Sequence, residues 1–212
     1  DFAVIYLAER EILPVYQLGW KTHKRVHFKL DDQCPAGASH HQKIVVVDDA
    51  VAFSGGIDLT ACRWDTREHR AGDPRRVSPA GTPYGPFHDM QTMVDGRAAS
   101  ALGDLVRQRW ERATGDPLEK PEIRTDPWPS GLKPDLEGIE VAVSRTEAPY
   151  KGRPQVREVE ALYLDAIAAA RKVLYIESQY FTSSTVGEAV IERMGDPEGP
   201  EVVLLTPIEL SG

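Results

Sequence analysis

One stretch gathers side chains that suit attack on a phosphodiester: His40-His41-Gln42-Lys43-Ile44-Val45-Val46-Val47-Asp48, followed by Phe53-Ser54-Gly55-Gly56-Ile57-Asp58-Leu59. An imidazole is a usable nucleophile near neutral pH, and His41 supplies one. Lys43 sets a cation inside an apolar segment, where its charge is costly unless it meets an anion such as phosphate. Gly55 and Gly56 leave the backbone bare, so a ligand has room to approach it closely. The scheme requires no divalent metal and no cofactor. His40 and His41 do not chelate one ion together, because neighbours on a regular strand face opposite ways. His40 is therefore read as a packing or hydrogen-bonding neighbour.

Position follows from the elements. Ile44 to Val47 is a continuous β-branched run and reads as a strand buried on both faces. Asp48-Asp49-Ala50 interrupts it and Val51-Ala52-Phe53 resumes the apolar pattern, so a hairpin is expected. Alternation puts His41 and Lys43 on the same face. A tight turn at Asp49-Ala50 places Lys43 across from Gly56 and His41 across from Asp58. Asp48 lies roughly 20 Å from His41 along an extended strand, too far to orient its ring. Its task is read as accepting hydrogen bonds at the turn. Asp58 is a candidate for the substrate site, although an acid there would repel a phosphate. Asp65 and Glu68 are candidates for a carboxylate that holds the His41 ring.

Around this hairpin, residues 1–13 are expected to include a helix ending near Pro14, and Val26 to Leu30 alternates like a strand. Residues 61–86 are rich in Arg, Asp, Pro and Gly and read as a long loop, with Arg75-Arg76 taken as a solvated pair. Phe87 to Val94 reads as a strand and Arg97 to Ala113 as a helix, with Leu102, Leu105, Val106 and Trp110 at helical spacing. Strands are expected at 139–143, 173–176 and 202–205, and helices over 156–170 and 186–194. Helices alternating with strands imply an α/β fold. The expected organisation is a first lobe over 1–115, a Pro-rich linker over 116–135 and a partial second lobe over 136–212.

These residues resemble the phospholipase D superfamily. Its HKD motif, His-x-Lys-x-x-x-x-Asp, is matched by His41, Lys43 and Asp48, and its following glycine pair by Gly55-Gly56. Gly-Gly-Ile-Asp-Leu, Arg63-Trp64-Asp65, Pro86-Phe87-His88-Asp89 and Tyr175-Ile176-Glu177-Ser178-Gln179-Tyr180-Phe181 are similar to segments of the lipid-acting branch, with Ser178 in place of Asn. The resemblance implies a mixed sheet flanked by helices and a second pseudo-repeat lobe. It implies that one His attacks phosphorus to form a phosphohistidine while a His from a second motif protonates the leaving alcohol. It favours Asp65 over Glu68 as the ring-holding acid, and it sets His88 and Asp89 at or near the pocket wall. The family often has Asn where Asp58 stands. The sequence holds one HKD motif. It does not begin with Met, and it stops at Leu210-Ser211-Gly212. The expectation is a fragment with the first lobe and the start of the second; the alternative is a site completed by homodimerisation.

Composition agrees with a globular protein at 41% apolar residues. No apolar run approaches the roughly 18 residues of a spanning helix, and no signal peptide is visible, so a soluble protein, cytoplasmic or peripheral to a membrane, is expected. Cys34 and Cys62 match neither a disulfide framework nor a zinc spacing. A net charge of -8 argues against bulk attraction to nucleic acid, yet leaves room for a local positive site. The expected partner is a phospholipid at a membrane surface. The alternatives are a nucleic-acid phosphodiesterase of the same superfamily or a catalytically silent binding module.

Overall fold

A computed structural model describes residues 23–122 and 127–207. The chain divides into two compact units, Asp1–Val143 and Ser144–Gly212. The helix expected over residues 1–13 lies outside the described residues.

The first unit is built on three antiparallel strands, β1 (Lys43–Val47), β2 (Val51–Gly55) and β3 (Gln91–Asp95), in the order β1-β2-β3. One helix follows directly, α1 (Gly96–Thr114). The β-branched run of β1 suits a pleated, half-buried surface, and the strand is half-buried along most of its length rather than closed on both faces. Ala52, Ala99 and Leu102 form the buried nucleus, and Ile44, Val46 and Val94 pack against it. Val46, Ala52 and Val94 are direct cross-strand partners, so α1 covers the face they share. Lys43, Val45 and Val47 fall on the opposite face by alternation. α1 ends at Gly115, whose φ of 82° is the left-handed cap conformation and whose N–H bonds to the Glu111 carbonyl.

The hairpin differs by one residue from the sequence expectation. Val47 pairs with Val51 and Lys43 with Gly55, so the connection is Asp48-Asp49-Ala50 and not Asp49-Ala50 alone. Asp48 and Asp49 both take positive φ, 51° and 56°, a conformation that short polar side chains tolerate. The Ala50 N–H closes the turn on the Val47 carbonyl at 3.0 Å. Asp49 then lies only 2% exposed and meets the Arg107 guanidinium with both oxygens, at 2.8 and 2.7 Å. These bonds, ahead of a further one to Asp104, hold the Arg107 pKa above its ordinary value. Gly103 makes the contact possible, because a Cβ there would collide with the Asp49 carboxylate.

Two expected strands do not form ladders. Val26–Leu30 has no strand pairing, and Val26, Phe28 and Leu30 are 53%, 43% and 58% exposed. Residues 139–143 are likewise exposed coil. Alternation supplies a face, but a strand also needs a neighbour for its backbone groups. The stretch 87–94 is a strand only from Gln91 onward.

The long polar loop has a nucleus of its own. Arg76, expected to be solvated, is 1% exposed. It donates to Asp65 at 2.9 Å and to the carbonyls of Ala71, at 2.7 Å, and Arg70. Asp73 accepts from the Arg75 side chain and backbone, and Tyr84 donates to the Trp64 carbonyl. The Arg75 guanidinium lies over the Trp64 ring at 5.4 Å, leaving Arg75 the exposed member of the pair. The loop is thus folded around an ion, not around apolar side chains.

The second unit contains β4 (Thr146–Glu147), β5 (Val156–Arg157), α2 (Glu158–Ala169), β6 (Val173–Glu177), α3 (Ser184–Met194) and β7 (Glu201–Leu205). β4 and β5 pair antiparallel, and β6 and β7 pair parallel. Arg145 grips Glu158 at the start of α2 through its backbone N–H and two side-chain donors. Ile167 and Val190 are among the buried apolar residues of this unit, and Ser183 caps α3 by accepting from the Val186 N–H. The mixed α/β architecture agrees with the sequence expectation. No helix among the described residues is long and apolar enough to cross a membrane.

Two predictions follow from these ion pairs. Arg107→Ala leaves the buried Asp49 carboxylate without its partner and should cost about 2–3 kcal/mol, read from the urea midpoint. Arg76→Met should unfold the loop alone, raising protease cleavage within residues 63–84 on the order of tenfold while the α1 amides stay protected. The loop also has a defined acid response. Asp73 is held below its ordinary value of 3.8 chiefly by the Arg75 side chain, and Asp65 by the Thr66 N–H and then Arg76. Their contribution is fully present above pH 3.8 and is lost as pH falls through the lowered values, so the amide signal of Arg75, whose N–H donates to Asp73, should shift as pH falls below 3.8.

Candidate active site

Lys43 begins β1 on the face that α1 does not cover, and its side chain is 11% exposed. Its ammonium donates to the His41 carbonyl at 3.0 Å and lies 3.0 Å from Asp58 Oδ1. His41 sits just before the strand and is exposed. The structure therefore gathers His41, Lys43 and Asp58, although the contact to Asp58 comes from Lys43 and not from the cross-strand pairing of His41 that the tighter turn implied. The Asp58 pKa is lowered, first by the hydrogen bond from Lys43, then against the cost of burial by the charges of Lys43, Arg63 and His41. An acid in this state is a permanent anion at neutral pH.

His40 faces elsewhere. Its Nε2 lies 3.3 Å from Asp31 Oδ2, which also accepts from Arg109 on α1 at 2.8 Å. Burial raises the Asp31 pKa, but the bonds from Arg109 and from the Gln33 N–H outweigh it and the net shift is downward. This anchor ties the segment before β1 to the helix and leaves the next residue, His41, to the other side. A groove of about 230 Å³ bordered by Asp31, Gln42, Ile44, Leu105, Arg109 and Trp110 lies on this helix side.

Gly55 is required by the protein's own backbone, whereas Gly56 faces a neighbouring side chain. A Cβ on Gly55 would meet the Met90 carbonyl, and one on Gly56 the Asp89 carboxylate. The Gly56 N–H bonds to the Met90 carbonyl at 3.1 Å. Both glycines are exposed, and Lys43 stands opposite Gly55 instead of Gly56.

Asp48 is exposed on the turn at the far end of the strand. Asp65 is engaged within the loop: it accepts from Arg76, from the Thr66 N–H at 2.7 Å, and faces His69 Nδ1 at 3.5 Å. The imidazole beside Asp65 is that of His69. Glu68 is exposed. Sequence reasoning passed over Arg63, whose guanidinium lies 4.4 Å above the Phe87 ring. The available signal was that both belong to short segments already picked out for other residues.

The sequence matches those of known proteins. The family model described as Phospholipase D matches residues 19–128, which include the whole three-stranded sheet, the polar loop and α1. Phospholipase D alpha 1 of Zea mays is 28% identical over 76% of this chain and 26% of the maize protein. Phospholipase D alpha 1 of Ricinus communis is 28% identical over 87% of the chain and 29% of its own length. Phospholipase D alpha 4 of Arabidopsis thaliana is 30% identical over 76% and 25%. The chain spans about a quarter of the length of these curated relatives. With a matched region that covers more than half of its residues and holds the His41-Lys43 pair, the chain belongs to the phospholipase D family.

Proposed function

We propose that this chain carries the nucleophile half of a phospholipid phosphodiesterase or phosphatidyltransferase. The observation that carries the reading is the Lys43 ammonium, mostly shielded from water, beside an exposed His41 and already holding an anion at 3.0 Å. A cation so placed binds a non-bridging phosphate oxygen and offsets the charge that builds at phosphorus. A His41 ring nitrogen attacks phosphorus, the bond to the leaving alcohol breaks, and that alcohol takes a proton from an acid. The phosphohistidine then passes its phosphoryl group to water, giving hydrolysis, or to a second alcohol, giving transfer. Gly55 and Gly56 hold the sheet end beside the reacting group, and Asp48 shapes the turn that fixes β1. The 212 residues contain a single HKD motif, so the acid comes from a second motif in the same polypeptide or from a second copy. The names of the relatives and of the family model support phospholipid as the substrate class, and the net charge of -8 favours it over nucleic acid.

In the full-length protein, His41→Ala should lower release of headgroup from phosphatidylcholine vesicles on the order of a thousandfold or more. Trapping of labelled phosphorus on His41 in the parent, and its loss in H41A, checks the covalent step. Unchanged turnover in H41A refutes the assignment, and cleavage of DNA or RNA with no action on vesicles transfers the same chemistry to nucleic acid.

A further inference from the structure

The anion that Lys43 meets in this structure belongs to the protein itself. Asp58 is half-exposed while Lys43 is not, so the carboxylate is free to swing into water and the ammonium is not. Arg63 stands at the same end of the sheet. The chain folds back between the two residues, with the Thr60 N–H on the Asp58 carbonyl and Cys62 at a φ of 61°. The Arg63 guanidinium rests on Phe87, and the Phe87–Met90 segment runs beside Gly55 and Gly56, the pair that β1 faces through Lys43. Arg63 Nε is buried and has no acceptor among the described residues. A buried donor without a partner is costly, and a stacked guanidinium is already held in place, so an incoming acceptor would meet little ordering cost.

Resting on the proposed phosphodiesterase reading, we infer that Arg63 is a second cation of the site, beside Lys43 and the His41 nucleophile, and that Asp58 is an internal counter-ion which a phosphate group must displace. The electrostatics point the same way, since the Asp58 carboxylate feels Lys43, Arg63 and His41 together. A phosphate oxygen arriving at Lys43 takes the place of Asp58 Oδ1, relieves the repulsion between two anions, and gains the Arg63 donor. Phe87 fixes the height of that donor. Asp58 thereby sets a threshold: weakly bound anions fail to displace it, whereas a phosphate group that engages both Lys43 and Arg63 succeeds.

Titration of the chain with inorganic phosphate by calorimetry tests this. Asp58→Asn should tighten phosphate binding about tenfold by removing the competing charge, and Arg63→Gln should weaken it about tenfold, the scale of one charge-assisted hydrogen bond. Arg63→Lys, which keeps charge on a flexible stem, should fall between parent and R63Q. Should R63Q fail to fold, the half-exposed Asp58→Asn change still decides the question. Phosphate affinities within about twofold of the parent for both D58N and R63Q, with binding lost in Lys43→Gln, overturn the inference while the site stands. Binding that survives K43Q unchanged, or phosphate binding absent from both D58N and the parent, overturns the reading of the site itself.

Discussion

The Arg107 guanidinium reaches from the first helix to the β1–β2 turn and takes both oxygens of a buried Asp49. That contact fixes which side of the sheet the helix covers. Once Ile44, Val46, Ala52 and Val94 belong to the helix, alternation leaves Lys43 no choice but the opposite face. The apolar nucleus is small, and this ion pair adds a directional contact to it. A buried ion pair is weak evidence for net stability, but breaking it strands a charge, and an arrangement that keeps both charges satisfied is strongly preferred over one that does not. The placement of Lys43 therefore rests on a contact at the other end of its own strand.

A division of labour runs along the residues around β1. His40 is drawn to Asp31 and, through Arg109, to the helix. His41 is left exposed beside the Lys43 ammonium. Two neighbouring imidazoles just before the strand thus enter different surroundings, with no difference in their own chemistry. The polar loop repeats the theme on another scale, since Arg76 organises carbonyls and carboxylates where an ordinary loop would present them to water.

Much of this was legible in the letters. The β-branched run, the hairpin, the helix over the spacing of Leu102 to Trp110 and the His41-Lys43 pair all follow from local pattern. What failed did so for nonlocal reasons. The hairpin slipped by one residue because positive φ at both Asp48 and Asp49 lengthened the connection, and no periodicity reports a dihedral angle. The alternating stretch 26–30 found no partner strand. Arg76 was read as solvated because burial of an arginine depends on acceptors far away in sequence, such as Asp65. Asp65 itself was linked to His41 through the matched segment, and the structure engages it with Arg76, Thr66 and His69.

The glycine pair has a consequence for how related chains are read. Any side chain at Gly55 or Gly56 would strike the Met90 carbonyl or the Asp89 carboxylate. The requirement for hydrogen at Gly55 is thus set by how the hairpin seats its third strand, whatever the reactive groups nearby are doing. A descendant that had lost its imidazole would still need Gly55 to seat that strand. The presence of Gly55 thus speaks for the scaffold, independently of the histidine and lysine beside it.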